Sequence, residues 1–289
     1  MLVGHGSVER AEDIPEFLGR IRKASPHADR PVPEAVVAEV TRRFLAIGGS
    51  PLLSISRAQA AALSARLGLR GERGMRLAPP YVAEVVARLA SEGVDRIVSL
   101  PLAPFSTHVY HPAVIEACRV HDIRCVTVGP WGTEPELVHA FAEAVREVKV
   151  ADAHLVFTAH SLPVRALQAM ADPYDREVAA TAAEVARALG REDASLAFQS
   201  QGLEGGEWLG PDLVTTLTDL AKVGARAALF SPIGFLTDHT EVLYDLDVEA
   251  RKVAEGLGIA YFRAASLNAR AELVEALATL AHRALSEPR

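Results

Sequence analysis

Short apolar runs alternate along this chain with longer stretches in which apolar residues recur at every third or fourth position. The short runs predict β-strands, and the longer stretches predict amphipathic α-helices. The predicted strands cover residues 2–3, 75–77, 96–100, 124–128, 154–158, 196–199, 227–230 and 260–262. The predicted helices cover residues 35–45, 81–91, 134–147, 175–189, 212–223, 240–255 and 269–285. Because strands and helices alternate, the pattern predicts an α/β fold of parallel sheets flanked by helices.

The predicted strands fall into two sets of four, which indicates two domains. A chain of 289 residues is long for one ordinary domain and suits two. The boundary is expected near residues 148–152, after a long helix and before a new strand, so that residues 1–149 and 150–289 form the two halves. The last helix is expected to pack back on the first half.

Each set of strands opens with a strand that ends in a histidine turn. Residues 1–7 read MLVGHGS and residues 155–161 read LVFTAHS, so His5 and His160 occupy matching positions. Ligands of open parallel sheets bind at the carboxyl ends of the strands. An imidazole at such a place can accept a proton near neutral pH or ligate a metal ion. The simpler interpretation of either histidine is a hydrogen-bonded turn residue.

A row of carboxylates follows the third strand of the second set. Glu241, Asp245 and Glu249 recur at every fourth position, which on an α-helix places them along one face. A solvated acidic surface is the ordinary interpretation of such a row. This row, however, starts near the carboxyl end of a strand, two residues after the pair Asp238 and His239. Oxygen ligands that lead to an imidazole are what a path for a divalent cation requires.

Composition narrows the class of protein. The formal net charge is −7, which argues against nucleic acid as the main partner and means that an anionic ligand needs dedicated arginines or lysines. Two cysteines, Cys118 and Cys125, are too few for a disulfide framework or a four-cysteine iron–sulfur cluster, and they match no zinc spacing. The apolar runs are too short to span a membrane, and we find no signal-peptide pattern. These features predict a cytoplasmic protein.

Three segments of the second half carry a resemblance to a known family. They are AHSLP at residues 159–163, the stretch from FQSQ to EWLGP at residues 198–211, and DHTEVLYDLD at residues 238–247. Together they resemble ferrochelatases, the enzymes that insert ferrous iron into a porphyrin in haem biosynthesis. In the first half RFLAIGGSPL at residues 43–52 is similar as well, so the resemblance spans nearly the whole chain in the expected order.

The resemblance implies two Rossmann-like domains with a porphyrin cleft between them. It also implies that His160 and Glu241 are the catalytic residues and face each other on one side of the macrocycle. These two residues, with Asp245 and Glu249, match the positions at which the family handles metal ions. Asp238 and His239 are expected to support the catalytic pair. Metal insertion requires that two pyrrole protons leave, and which of His160 and Glu241 accepts them stays open.

Porphyrin propionates need cations, and the resemblance places several near the bound ring. The residues expected to bind the porphyrin are His5, Arg22, Arg30, Arg43 and Ser50. The segment at residues 25–30 is longer and less basic than the family usually has, so which arginine meets a propionate stays open. His5 stands where ferrochelatases commonly place tyrosine, and it is either a second imidazole ligand or part of the cleft wall. Fe2+ is a substrate, no cofactor is expected, and a monomer is the default.

Two other functions compete with iron insertion into a porphyrin. One is a cobalt or nickel chelatase that acts on a sirohydrochlorin-type ring, since those relatives often begin with a turn like the one at His5. The other is a porphyrin- or haem-binding protein without catalysis, which would not need an opposed pair such as His160 and Glu241. Protoporphyrin IX and coproporphyrin III both remain candidate substrates.

Overall fold

The computed structural model describes residues 1–23, 30–202 and 206–286, and it contains two parallel sheets of four strands each. The first sheet comprises β1 (Leu2–Gly4), β2 (Arg73–Met75), β3 (Arg96–Pro101) and β4 (Arg124–Thr127). The second comprises β5 (His154–His160), β6 (Ala194–Gln199), β7 (Ala227–Ser231) and β8 (Ala260–Arg263). The predicted α/β class with two four-stranded parallel sheets is therefore confirmed.

Helices connect the strands. In chain order they are α1 (Ile14–Lys23), α2 (Glu34–Ala46), α3 (Leu52–Leu67), α4 (Val82–Ser91), α5 (His111–Val120), α6 (Pro135–Arg146), α7 (Val164–Met170), α8 (Tyr174–Leu189), α9 (Leu213–Lys222), a π-helix (Val242–Ala250), α10 (Arg251–Gly256) and α11 (Ala271–Ser286). No helix in these described ranges is long and apolar enough to cross a membrane.

Both sheets have the same strand order, β2-β1-β3-β4 in the first and β6-β5-β7-β8 in the second. In each sheet the chain runs from its first strand to one side and then crosses over to the other side. The point at which the order reverses therefore lies between β1 and β3 in one sheet and between β5 and β7 in the other. Loops diverge at the carboxyl ends of such a strand pair and leave a crevice that suits a ligand.

Contacts divide the chain into two compact units that differ from the predicted halves. The first unit contains residues 1–103, 107–129 and the stretch from Asn268, and the second contains residues 104–106 and 130–267. Helix α6 belongs to the second unit because it packs on α8, where Arg146 Nη2 donates to the carbonyl of Ala188 at 2.6 Å. Helix α11 belongs to the first unit because it packs on α3 and β3.

Each sheet is buried between its helices. Every residue of β5 from Leu155 to Ala159 is buried, which is typical of a parallel strand covered on both faces. Leu217, Phe230 and Leu246 are fully buried in the core of the second unit. Val3, Val86 and Val114 take the same place in the first unit. Burial of one such side chain stabilises the fold by about 1.5–3 kcal/mol.

The spacing of apolar residues did not predict four of the helices, which are α1, α3, α5 and α7. Helix α3 shows the reason, because small and apolar residues are spread around it and leave no single apolar stripe. Strand β2 also begins and ends earlier than the predicted 75–77. Arg76 and Leu77 still donate backbone hydrogen bonds to the carbonyls of Gly4 and His5, both at 2.9 Å, so the chain keeps following β1 beyond the end of the strand.

Candidate functional site

In the second unit the crevice between β5 and β7 is formed by the end of β5 and the loop that follows β7. His160 is the last residue of β5, and the loop at residues 232–239 leads to Glu241 just before the π-helix. Gly234 lets this loop lie against β5, since a Cβ atom there would stand 2.5 Å from the Cα atom of Ala159. Its N–H donates to the carbonyl of Thr158 at 2.9 Å. The fold thereby brings the loop beside His160.

Two imidazoles flank one carboxylate at this place. Nε2 of His160 lies 3.6 Å from Oε2 of Glu241, and Nε2 of His239 lies 3.5 Å from the same oxygen. Each ring donates its Nδ1–H to a backbone carbonyl, that of Ser161 for His160 and that of Thr237 for His239. Both rings are therefore fixed with Nε2 towards the carboxylate. The ring of Phe235 lies near both imidazoles, with centroids 6.4 Å from His160 and 5.1 Å from His239.

The charges of this trio shift the pKa values in opposite directions. Burial lowers the pKa of the His160 imidazole, but the negative charge of the neighbouring Glu241 outweighs this effect, so the pKa lies above its ordinary value of 6.5. Burial likewise raises the pKa of the Glu241 carboxyl, but the imidazoles of His160 and His239 hold it well below 4.5. The site therefore combines an ionised carboxylate with an imidazole whose basicity is increased.

The row of carboxylates predicted for one α-helical face does not form in that way. Residues 242–250 form a π-helix, in which the N–H of Arg251 reaches the carbonyl of Leu246. In such a helix the backbone N–H groups reach back five residues instead of four. Asp245 is buried, with 3% of its surface exposed, and accepts a hydrogen bond from Ser200 Oγ, whereas Glu249 is exposed. The prediction of an α-helix at residues 240–255 was wrong for its first part, because apolar spacing alone does not distinguish the two helix types.

Asp238 contacts residues at and just beyond the end of β8. Its Oδ1 accepts hydrogen bonds from Ser266 Oγ at 2.7 Å and from Arg263 Nη1 at 3.4 Å. No motif in the sequence indicated Arg263 as a partner of this loop. These contacts tie the loop to the end of β8, and the supporting role that the family resemblance implies for Asp238 stays a prediction.

Tyr174 supports the other side of the site. Its hydroxyl donates to the backbone carbonyl of His160 at 2.9 Å, and its N–H donates to Asp172 Oδ1 at 3.1 Å. Asp172 also accepts hydrogen bonds from Ser106 Oγ at 2.9 Å, and the ring of Phe105 meets Tyr174 edge-on. No pattern in the sequence indicated Tyr174, since its contact with His160 arises only in the folded chain, where the start of α8 lies near the end of β5.

His5 lies at the matching position of the first unit, with different neighbours. Arg76 Nη1 lies 3.3 Å from Nδ1 of His5 and, because a guanidinium only donates, Nδ1 must accept this hydrogen bond. The proton of the neutral ring is therefore on Nε2, which makes that nitrogen a donor. The imidazole packs against the ring of Tyr110 at 4.7 Å between centroids, and the guanidinium of Arg76 lies over the same ring at 5.7 Å.

The other predicted porphyrin-binding residues lie on α2, on α1 and around the loops that follow them. Arg43 Nε donates to Glu39 Oε1 at 2.7 Å, and Arg42 shares the same carboxylate, so one negative charge serves two guanidinium groups. These hydrogen bonds lower the pKa of Glu39 to about 2. Arg22 is half-buried on α1, Arg30 is exposed, and Ser50 Oγ is buried without a hydrogen-bond partner in the described part of the chain. The segment 25–29 lies outside the described residues.

The site can hold a proton and a cation at neighbouring atoms. A carboxylate oxygen and imidazole nitrogens are donor types that ferrous iron accepts. Among residues 1–23, 30–202 and 206–286, no group of three or more histidine, cysteine, aspartate or glutamate side chains stands ready to hold a metal ion. The Glu241 side chain is 43% exposed, compared with 32% for His160 and 17% for His239, so its carboxylate is the most accessible group of the three.

Comparisons with known proteins agree with one family. A family model described as Ferrochelatase matches residues 1–285. A ferrochelatase from Acidobacterium capsulatum is 38% identical over 311 aligned residues, which cover 99% of this chain and 94% of that protein. A coproporphyrin III ferrochelatase from Anoxybacillus flavithermus is 33% identical, covering 97% of this chain and 94% of that protein.

Solved structures of more distant proteins share the fold. SirB from Bacillus subtilis with Fe3+ superposes with a TM-score of 0.64 at 14% identity, covering 99% of this chain and 94% of that chain. The sirohydrochlorin chelatase SirB from Bacillus subtilis subspecies spizizenii in complex with cobalt gives a TM-score of 0.58 at 15% identity, with the same coverage. At such low identity the likeness extends to the fold alone.

Proposed function

Since the chain belongs to the ferrochelatase family, whose members insert Fe2+ into a porphyrin in haem biosynthesis, we propose that His160 and Glu241 carry out this insertion. The reaction exchanges the two N–H protons of the porphyrin for one Fe2+ ion. It therefore needs a group that accepts protons and a group that meets a hydrated dication, close to one another. The carboxylate of Glu241, with imidazole nitrogens at 3.6 and 3.5 Å, is the observation that supports this assignment.

The opposite pKa shifts divide the two tasks. We assign proton acceptance to His160, because an imidazole with a raised pKa is the stronger base of the pair. We assign the contact with iron to Glu241, because a carboxylate with a lowered pKa stays ionised and attracts a dication. His160 must pass on the first proton before it accepts the second. A second basic nitrogen, Nε2 of His239, lies 3.5 Å from the same carboxylate oxygen.

Asp245 and Glu249 are proposed to guide cations or protons towards Glu241. Asp245 adds to the negative potential at His160 and contributes to its raised pKa. The exposed Glu249 would meet a hydrated ion first, and the buried Asp245 would follow. Ser200 fixes the Asp245 carboxylate through its hydroxyl.

The porphyrin substrate is proposed to be coproporphyrin III. Coproporphyrin III is named for the relative from Anoxybacillus flavithermus and for other curated relatives at about 30% identity. Of the proposed porphyrin-binding residues of the first unit, Arg22, Arg30 and Arg43 would supply guanidinium groups for its propionates, and His5 and Ser50 would contact the ring. Arg76 joins them, since it has no carboxylate partner among the described residues and stands beside His5. A cytoplasmic location and a monomeric state stay predictions from the sequence, as does the absence of a cofactor.

A spectroscopic metallation assay tests the proposed function. The purified protein is incubated anaerobically with Fe2+ and, in separate reactions, with coproporphyrin III, protoporphyrin IX and sirohydrochlorin, while the absorption bands of the free ring are followed. We expect turnover with coproporphyrin III above that with protoporphyrin IX, and none with sirohydrochlorin. Turnover confined to sirohydrochlorin would support the chelatase alternative, and porphyrin binding without any turnover would support a carrier.

A further inference from the structure

Arg263, the last residue of β8, binds two carboxylates that lie on either side of Glu241 in the chain. Its Nε and Nη2 donate to the two oxygens of Asp247 at 2.7 and 2.9 Å, and Nη1 donates to Oδ1 of Asp238 at 3.4 Å. Asp238 belongs to the loop before Glu241, and Asp247 belongs to the π-helix after it. One guanidinium therefore connects the two segments that deliver Glu241.

The strand that carries Arg263 holds the π-helix at a second point. Tyr261 and Arg263 lie two residues apart on β8 and so project from the same face. The ring of Tyr261 stacks on Phe230 and lies under the guanidinium of Arg251, 4.8 Å from its centroid. Arg251 Nε in turn donates to the backbone carbonyl of Asp247 at 3.2 Å. Both the side chain and the main chain of Asp247 are thus tied to this face of β8.

The connection is shielded from solvent. The side chain of Arg263 is 13% exposed, and those of Asp238 and Asp247 are 19% and 30% exposed. Ser266 Oγ adds a hydrogen bond of 2.7 Å to Asp238. Charge-assisted bidentate hydrogen bonds in such surroundings fix direction as well as distance. Lysine cannot replace them, since its single ammonium group lacks the planar fork that spans both carboxylates.

We propose that Arg263 is a positioning residue for metal insertion, which holds the loop and the π-helix so that Glu241 stays between His160 and His239. This inference rests on the proposed roles of His160 and Glu241. Arg263 itself does not contact the reacting atoms. The Glu241 carboxylate lies 3.5 and 3.6 Å from the imidazole nitrogens, distances that are long for a hydrogen bond, so these contacts fix its direction only loosely. The alignment of Glu241 therefore depends on the segments before and after it.

The test is the substitution Arg263→Lys, which keeps the charge and removes the fork. The control is Arg191→Lys, since Arg191 forms a comparable bidentate pair with Asp193 at 2.6 and 2.7 Å near the amino end of β6. We expect Arg263→Lys to lower kcat for iron insertion about tenfold or more, since small misplacement of a reacting group is costly. The KM for porphyrin and the melting temperature should stay near those of the wild type, and Arg191→Lys should keep kcat within about twofold.

A folded Arg263→Lys enzyme with wild-type kcat would overturn the inference. If that variant does not fold, Asp247→Asn replaces it, since the isosteric amide keeps the shape while weakening the same connection. A loss that lies wholly in the KM for porphyrin would also contradict a positioning role. The variant Glu241→Gln, measured in parallel, distinguishes a failure of the proposed site from a failure of the proposed role of Arg263. If Glu241→Gln keeps its activity, the proposed site is wrong. If Glu241→Gln loses activity while Arg263→Lys keeps it, the proposed site stands and only the role of Arg263 is refuted.

Discussion

Nε2 of His160 lies 3.6 Å from Oε2 of Glu241, although the two residues belong to different strand–helix connections of the second unit. The strand order brings them together, since β5 and β7 are neighbours and the order reverses between them. One member is an imidazole of raised pKa and the other a carboxylate of lowered pKa. With the roles proposed for the two residues, this relationship would place proton acceptance and cation binding at adjacent atoms.

The first prediction concerns the hydroxyl of Tyr174. Tyr174→Phe removes only the hydrogen bond from the Tyr174 hydroxyl to the carbonyl of His160. Such a hydrogen bond contributes about 1 kcal/mol, which corresponds to a few-fold change in rate if the bond acts by placing the His160 imidazole. We expect kcat to fall about three- to tenfold at an unchanged KM for porphyrin. Tyr261→Phe is the matched control, because the Tyr261 hydroxyl is buried without a hydrogen-bond partner among the described residues. Equal kcat values for the two variants would exclude a role of the Tyr174 hydroxyl in placing His160.

The second prediction concerns His5. Because Arg76 donates to Nδ1 and leaves the proton on Nε2, His5 offers a donor where a metal ligand needs a lone pair. His5→Ala should therefore lower kcat by less than about tenfold, far from the hundredfold or more expected when a general base is lost. Steady-state kinetics with Fe2+ and porphyrin varied in turn measure the effect. A loss as large as that of His160→Ala would instead show that His5 ligates the metal.

Much of the fold and the centre of the site could be predicted from the sequence. The alternation of apolar runs located the strands, and the AHSLP and DHTEVLYDLD segments indicated His160 and Glu241. The π-helix could not be predicted, since the same apolar spacing fits an α-helix. Arg263 and Tyr174 were missed because their roles depend on contacts between distant segments. Each looks in the sequence like an ordinary charged or aromatic residue beside a strand or helix.

The third prediction concerns stability and pH. His111 is buried, accepts a hydrogen bond from Ser99 at Nδ1 and donates from Nε2 to the carbonyl of Val128 at 2.9 Å. Burial lowers its pKa below 6.5, so the unfolded chain binds more protons than the folded one around that pH. The stability that His111 contributes is therefore present above pH 6.5 and is lost as the pH falls from 6.5 towards the folded pKa.

Denaturant unfolding between pH 5.5 and 8 measures this effect. His111→Gln should be less stable than the wild type at pH 8 by about 1 kcal/mol or more, and the difference should shrink at pH 5.5. The exposed His121 at the end of α5 provides the control, and His121→Gln should show the pH dependence of the wild type. A difference between His111→Gln and the wild type that stays constant with pH would show that the ring contributes only by packing.

The most direct test of the central claim, that His160 and Glu241 act together in metal insertion, is a double-mutant cycle. The kcat of anaerobic Fe2+ insertion into coproporphyrin III is measured for His160→Ala, Glu241→Gln and the double variant, with porphyrin binding followed by fluorescence. We predict that each single change lowers kcat about a hundredfold or more, that the double variant is no worse than the poorer single one, and that binding persists. The claim would be contradicted by near wild-type kcat in either single variant. It would also be contradicted if the factor by which kcat falls in the double variant equals the product of the two single-variant factors.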